Sequence, residues 1–284
     1  MTAMAGRRQW SIATVVRMIL MALALIWTLF PIYWMTVTAL KTTLEIFSPR
    51  LQLLPAHPTV ENFTEMWTGV VPVRTYFANS VVTSSLTCVL TIVVSVLAAY
   101  AFSRMKFRYK EPLQLSLLLA QMFPFIVLLI PLYLIFLKSH LLNTHLGLIL
   151  AFASTAIPVG VWFMKGFMDS VPLELDDAAR IDGCTEIRLL RDVLLPLMLP
   201  GIIAVGVFAF LDAWNNLFFP LALVTNPNRR TLPPGLLFAV DSRYREDWGG
   251  LMAGSILASL PPVLGFVTIQ RWLISGLGAG ALRG

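Results

Sequence analysis

Charged side chains are scarce in this sequence. Asp, Glu, Lys and Arg make up 13% of the 284 residues, whereas 57% are hydrophobic and the mean hydropathy is +0.78. A water-soluble domain carries about a quarter of its residues as charges, because its surface must be solvated. The composition therefore excludes a soluble globular protein and predicts a chain that lies largely within a lipid bilayer.

Cysteine and histidine are almost absent. Cys88 falls in an apolar stretch and Cys184 in a polar one, so both thiols are predicted to be free. His57, His140 and His145 lie in predicted loops, with no Cys, Asp or Glu at the spacing of a metal motif. We therefore expect no metal site and no disulfide, and the cysteines leave the redox compartment open.

Several functional motifs are missing as well. The sequence has no GxxxxGK[ST] loop, so we expect no nucleotide and no cofactor to bind this chain. The net charge of +6 is not arranged as a basic stripe interleaved with aromatics, which argues against nucleic acid as a partner. The apolar stretches hold no His and no paired carboxylates, which argues against an intramembrane enzyme.

What the sequence has instead is a series of long apolar runs. They cover residues 18–40, 76–102, 113–137, 146–167, 199–224 and 250–273. A helix of about 20 residues crosses a hydrocarbon layer of about 30 Å, and the first run is too long for the core of a signal peptide. Pro124 and Pro131 predict a kink in the third run. The sequence thus predicts an all-α integral membrane protein with six transmembrane helices.

Basic residues indicate the topology. A cluster at residues 104–110 follows the second run, and further arginines occur in the polar segment 170–196 between the fourth and fifth runs. Because Lys and Arg are enriched in cytoplasmic loops, both segments are predicted to be cytoplasmic. An even number of spans then leaves both termini in the cytoplasm.

Residues 170–196 form the most distinctive stretch of the chain. Pro172 suits the first turn of a helix, and the carboxylates that follow favour the positive end of its dipole. Gly183 is predicted to end this helix in a left-handed conformation, which a residue without Cβ adopts readily. A second amphipathic helix is predicted over residues 185–195 and is expected to break at Pro196. We refer to this two-helix segment as the elbow.

The fifth apolar run contains polar side chains that lipid does not tolerate well. A lone Asp at the centre of a span costs about 2.5–3.5 kcal/mol on insertion scales, so Asp212 should face protein or water. Asn215 and Asn216 can donate and accept hydrogen bonds, as hydroxyl-rich solutes require. With Gln121 and Trp214 as neighbours they are candidates for a translocation pathway, and contacts between helices are the alternative.

The elbow resembles the EAA loop of the membrane subunits of ABC-type importers. The resemblance rests on Asp177-Ala178-Ala179, on Gly183 and on residues 193–196, with Asp177 where Glu is usual and Val193 where Ile is usual. Other stretches resemble the sugar-uptake branch of these permeases, the maltose-permease small-subunit type. These stretches are Asn62-Phe63, Asn79-Ser80, residues 99–104, 131–133 and 213–215, and the C-terminal residues 270–284. Asn216 departs from that branch, which usually has an acidic residue there.

The resemblance implies a type I importer of the bacterial inner membrane, with a sugar or oligosaccharide as its solute. It implies a homologous second permease, an extracytoplasmic solute-binding protein, and two ATPase subunits that hold ATP and Mg²⁺. Within the chain it implies an N-terminal segment with the first span and an outer loop (1–75), followed by a five-span permease core (76–284). The residues implied to couple the elbow to an ATPase are Glu174, Asp177, Ala178, Ala179, Gly183 and Pro196.

An ion-coupled secondary transporter is the main alternative. It needs a buried carboxylate that titrates during the cycle, and Asp212 is the candidate. Coupling ions usually require several polar partners near broken helices, which the apolar runs do not obviously supply.

Overall fold

The computed structural model describes residues 12–69, 73–240 and 247–281, and this part of the chain is all-α. The helices in chain order are α1 (Ile12–Ala39), α2 (Thr43–Ile46), α3 (Glu61–Thr68), α4 (Val73–Arg104), α5 (Lys110–Met122), α6 (Phe125–Lys138), α7 (His145–Asp169), α8 (Leu173–Ile181), α9 (Glu186–Leu197), α10 (Leu199–Asn215), α11 (Phe218–Leu223), α12 (Leu232–Val240) and α13 (Trp248–Ala281). A short 3₁₀ turn at Pro227–Arg229 precedes α12.

Four of these helices, α1, α4, α7 and α13, are long and apolar enough to cross a bilayer. Two bent pairs, α5 with α6 and α9 with α10, raise the number to six if each pair counts as one span. The all-α membrane fold is therefore confirmed, whereas the count of six and the division near residue 75 stay predictions. The predicted cytoplasmic termini, residues 1–11 and 282–284, lie outside the described residues, as does the end of the C-terminal motif.

Helix α4 is the centre of the bundle and packs most extensively against α7 and α10. Its buried face includes the small hydroxyl side chains of Ser84, Thr87, Thr91 and Ser95. Gly160 of α7 lies against this face so closely that an added Cβ would be 2.5 Å from Ser95 Oγ. Small residues allow membrane helices to approach in this way.

Asparagine side chains hold the connecting segments at one end of the bundle, where α1 and α6 end and α4 and α7 begin. The Asn62 amide donates to the carbonyls of Ala39 and Lys41, both at 2.8 Å. Asn143, whose φ of +58° places it in the left-handed region, accepts hydrogen bonds from the backbone N–H groups of Thr225 and Asn226. These contacts fix the predicted outer loops to the helices.

The third predicted span is broken rather than kinked. Helix α5 ends at Met122 and α6 begins at Phe125, and the two axes differ by 106°. Phe123 and Pro124 are extended, because a proline disfavours the α conformation in the residue before it and supplies no N–H. Pro131, by contrast, lies inside α6 without ending it.

Two helix boundaries differ from the prediction. The fifth predicted span is not one helix over 199–224, because α10 ends at Asn215 and Asn216 is extended. The elbow's second helix does not break at Pro196 but continues to Leu197. A wide π-helical turn at Leu189–Leu194 explains this, since it shifts the hydrogen-bond register just before the proline. The axis then turns by 79° between α9 and α10.

Candidate functional site

The elbow's first helix, α8, ends in the left-handed turn that the sequence predicts. Gly183 has φ +79°, and nothing lies within 4 Å of the position that its Cβ would occupy. A side chain here would be strained but would meet no neighbour in this chain. Gly183 therefore forms an open, sharply turned point on the surface.

The predicted coupling residues differ in their exposure to solvent. Ala179 packs in the core, whereas the other five are exposed: Glu174, Asp177, Ala178, Gly183 and Pro196. Two large apolar side chains on either side of the turn are also exposed, Ile181 by 87% and Ile187 by 79%. We call Asp177, Ala178, Ile181, Gly183 and Ile187 the elbow surface. Exposed apolar side chains beside charges are typical of a protein-docking surface.

A buried ion pair fixes α8 to the end of α4. Arg104 Nε lies 2.7 Å from Asp176 Oδ2, and the two side chains are only 5% and 2% exposed. The same guanidinium donates through Nη2 to the carbonyl of Val171 at 2.9 Å. This contact also places the basic segment 104–110 and the elbow at the same end of the bundle. No local sequence pattern predicts this contact, because 72 residues separate the partners.

A second link joins α4 to the start of α9. The Tyr100 hydroxyl donates to the Glu186 carboxylate, which also accepts from Arg180 Nε at 3.2 Å. Hydrogen bonds from Tyr100 and then from Arg180 lower the pKa of Glu186. Tyr100 and Arg104 are one helical turn apart and face the elbow together.

The predicted pathway residues are only partly brought together. Gln121 Nε2 donates to the carbonyl of Thr155 at 3.2 Å, and the Thr155 hydroxyl lies 3.5 Å from Asp212 Oδ2. A cavity of about 350 Å³ lies beside them, lined by Gln121, Ser154, Thr155 and apolar side chains of α6. Asp212 thus faces protein, as predicted, and the sequence did not single out Thr155 as the residue that joins the two.

The other three predicted pathway residues do not take part in these contacts. Trp214 is 2% exposed, stacks with its ring on Phe210, and donates its indole N–H to the carbonyl of Ala258 at 3.1 Å. Asn216 Oδ1 accepts from the N–H of Phe219, in the first turn of α11, at 3.1 Å. Asn215 is exposed at the end of α10. Trp214 and Asn216 therefore have structural contacts that account for them.

The described residues contain no cluster of three or more His, Cys, Asp or Glu side chains that could hold a metal ion. Cys88 and Cys184 are both free thiols.

A helical membrane bundle with an exposed elbow anchored to it is typical of the membrane subunits of transporters. The family model for the inner membrane component of binding-protein-dependent transport systems matches residues 91–278. The chain belongs to this family, which confirms the ABC-type permease predicted from the elbow motif. The family does not favour the secondary-transporter alternative.

Named relatives match over most of their length. The sulfoquinovosyl glycerol permease SmoH of Agrobacterium fabrum is 35% identical over 94% of this chain and 93% of its own. The diacetylchitobiose permease DasC of Streptomyces coelicolor is 35% identical over 90% and 92%. The trehalose/maltose permease MalG of Thermococcus litoralis is 31% identical over 90% and 92%.

A solved structure supports the fold. A bacterial ABC transporter involved in the import of the acidic polysaccharide alginate contains a chain that superposes with a TM-score of 0.81 at 19% identity, covering 92% of this chain and 96% of that one. With the family match, the protein is a multi-pass inner-membrane transport subunit.

Proposed function

We propose that this chain is one of two homologous permeases in an ATP-driven importer of a sugar or oligosaccharide. A solute-binding protein delivers the solute from outside, and two ATPase subunits hold ATP and Mg²⁺, while this chain holds no cofactor. The names of SmoH, DasC and MalG support the carbohydrate class. The observation that carries the proposal is the elbow surface, an exposed apolar and acidic face around the left-handed Gly183.

The elbow surface is the docking site for an ATPase subunit in this proposal. Ile181 and Ile187 supply apolar area that a partner would remove from water, and Asp177 supplies a charge at its edge. Glu174 and Pro196 are exposed in the same elbow, whereas Ala179 acts by packing α8 onto the bundle. Closure of the ATPase pair moves the elbow, and the helices alternate between inward-facing and outward-facing arrangements.

The same contacts support the proposed topology. The elbow and the basic segment 104–110 share one end of the bundle through Arg104 and Asp176. Both lie in the cytoplasm in this proposal, together with the two termini, because positive charge is enriched on that side. The asparagine-fixed loops then face outward.

A solute pathway passes beside Gln121, Thr155 and Asp212. The cavity at this cluster lies where α5 and α6 separate, which leaves polar groups at the depth of the membrane. Gln121 offers an amide and Asp212 a carboxylate, a combination that both donates to and accepts from hydroxyl groups. Asn215 at the end of α10 extends the pathway.

The proposal is tested by affinity purification of the tagged chain from its native membrane. We expect the second permease and the ATPase to co-purify, and the solute-binding protein to be identified by a thermal-shift screen with sugars and oligosaccharides. Uptake that collapses with the proton gradient while ATP is intact would favour the secondary transporter instead.

A further inference from the structure

We propose that α4 is a rigid transmission rod, which connects the elbow at its inner end to the loop 226–232 at its outer end. The inference rests on the proposed function and adds the route by which movement of the ATPase subunits reaches the outer face. The residues that attach this rod at its two ends, its positioning residues, are Tyr100, Arg104, Asn79 and Ser80.

The inner end of the rod is held by two separate elements of the elbow. Arg104 binds Asp176 of α8 and the carbonyl of Val171, and both charged side chains are almost completely buried. Tyr100, one turn earlier, binds Glu186 of α9. Two attachment points on one face of a helix prevent the elbow from pivoting about either one. A displacement of the elbow must therefore displace the end of α4.

The outer end is held in the same manner. The Asn79 amide donates to the carbonyls of Asn228, at 3.0 Å, and Arg230, at 2.8 Å. Ser80 Oγ accepts from the N–H of Leu232 at 2.7 Å. These bonds join residues about 150 positions apart in the sequence, and the Ser80 bond is buried. The loop 226–232 is thus attached to α4 rather than free at the surface.

The rod between the two ends is unusually suited to transmit movement. Helix α4 is 32 residues long and contains neither proline nor glycine. At about 1.5 Å per residue it is about 48 Å long, enough to cross a bilayer with its headgroups. Kinks arise mainly at proline, glycine or wide turns, and α4 has none.

The covalent connection from the elbow into α10 is less suited to transmit movement. It passes through the π-helical turn of α9 and the 79° turn at Met198, between Pro196 and Pro200. Each proline removes a backbone hydrogen bond donor, so this joint is the softer connection. The non-covalent attachment to α4 is therefore a stiffer path than the connection to α10.

Distance measurements between nitroxide labels on the complete importer test this inference. In a background carrying Cys88→Ala and Cys184→Ala, one label pair is placed at Lys106→Cys and Asp182→Cys, and another at Val82→Cys and Arg229→Cys. All four positions are exposed. Distances are measured in the nucleotide-free complex and in the complex trapped with ATP and vanadate. We expect both mean distances to be the same in the two states.

Variants show whether the named contacts cause this behaviour. Asp176→Asn should broaden or shift the inner distance on trapping and leave the outer one unchanged, and Asn79→Ala should do the reverse. Arg191→Gln removes an exposed ion pair of α9, at 3.5 Å from Asp192, and should change neither distance. A merely structural role would not make these effects depend on nucleotide.

A wild-type complex that hydrolyses ATP but shifts its inner or outer distance on trapping overturns the inference and leaves the proposed function standing. This result decides the matter even if a variant fails to assemble. A wild-type preparation that contains no ATPase overturns the proposed function itself, and the transmission role with it.

Discussion

Asp176 and Asp177 are adjacent in the sequence, yet their side chains lie in opposite environments. Asp176 is 2% exposed and paired with Arg104, whereas Asp177 is 75% exposed and lies 3.6 Å from Arg180. The first carboxylate therefore anchors the elbow, and the second is available to a partner. Neutralising or reversing the charge of one or the other should therefore have different consequences.

Loss of the anchoring carboxylate should destabilise the protein. Asp176→Asn leaves Arg104 buried without its counter-charge, which typically costs about 3–5 kcal/mol. We expect a lower unfolding temperature of the detergent-purified chain. Asp177→Asn is the matched control, because an exposed ion pair contributes about 0–1 kcal/mol. Equal unfolding temperatures for the two variants would contradict the anchoring role.

Charge reversal at the elbow surface should weaken docking in a defined order. Asp177→Lys reverses a charge within the proposed docking face and should reduce recovery of the ATPase with the purified permease. Arg191→Gln changes a side chain that is 81% exposed outside this face, and it should have the smaller effect. Recovery of the ATPase is measured on affinity-purified complexes. A stronger effect of Arg191→Gln would place the docking face elsewhere.

Substitutions at Asn215 and Asn216 should affect different properties, uptake in the first case and stability in the second. Asn215→Ala should lower the rate of uptake while the complex assembles normally, because its exposed amide has been assigned to the solute. Asn216→Ala removes the hydrogen bond to the first turn of α11 and should cost about 1 kcal/mol of stability. Rates are measured with the solute that stabilises the binding protein. Unchanged uptake kinetics of Asn215→Ala across several solutes would return it to a structural role.

The orientation in the membrane is tested by thiol labelling of intact cells. Single cysteines at Lys106 and Asp182 should be protected from an impermeant reagent, and one at Asn226 should react. A cysteine near Arg7, which lies outside the described residues, should also be protected. Reaction at Arg7 from outside would contradict the even number of spans.

Local sequence signals predicted most of the helices and the Gly183 turn. The length of an apolar run and the backbone freedom of glycine are local properties, which do not depend on tertiary contacts. They did not predict the break at Phe123, the passage of α9 through Pro196, or the end of α10 at Asn215. These depend on hydrogen-bond register and capping. The contacts of Arg104 with Asp176 and of Thr155 with Asp212 could not be predicted, since tertiary packing brings these residues together.

The central claim is that the elbow connects ATP hydrolysis to solute movement, and Gly183→Asp tests it most directly. At φ +79° any side chain is strained by about 1–2 kcal/mol, and Asp also adds a charge to the docking face. Gly183→Ala separates strain from charge, and Gly166→Ala is the control at an equally open glycine inside helix α7. ATPase recovery and solute uptake are measured on the same cells. We expect Gly183→Asp to lose ATPase recovery, or to hydrolyse ATP without uptake, while the chain inserts normally. Wild-type values of both in Gly183→Asp would show that the elbow is only a connector.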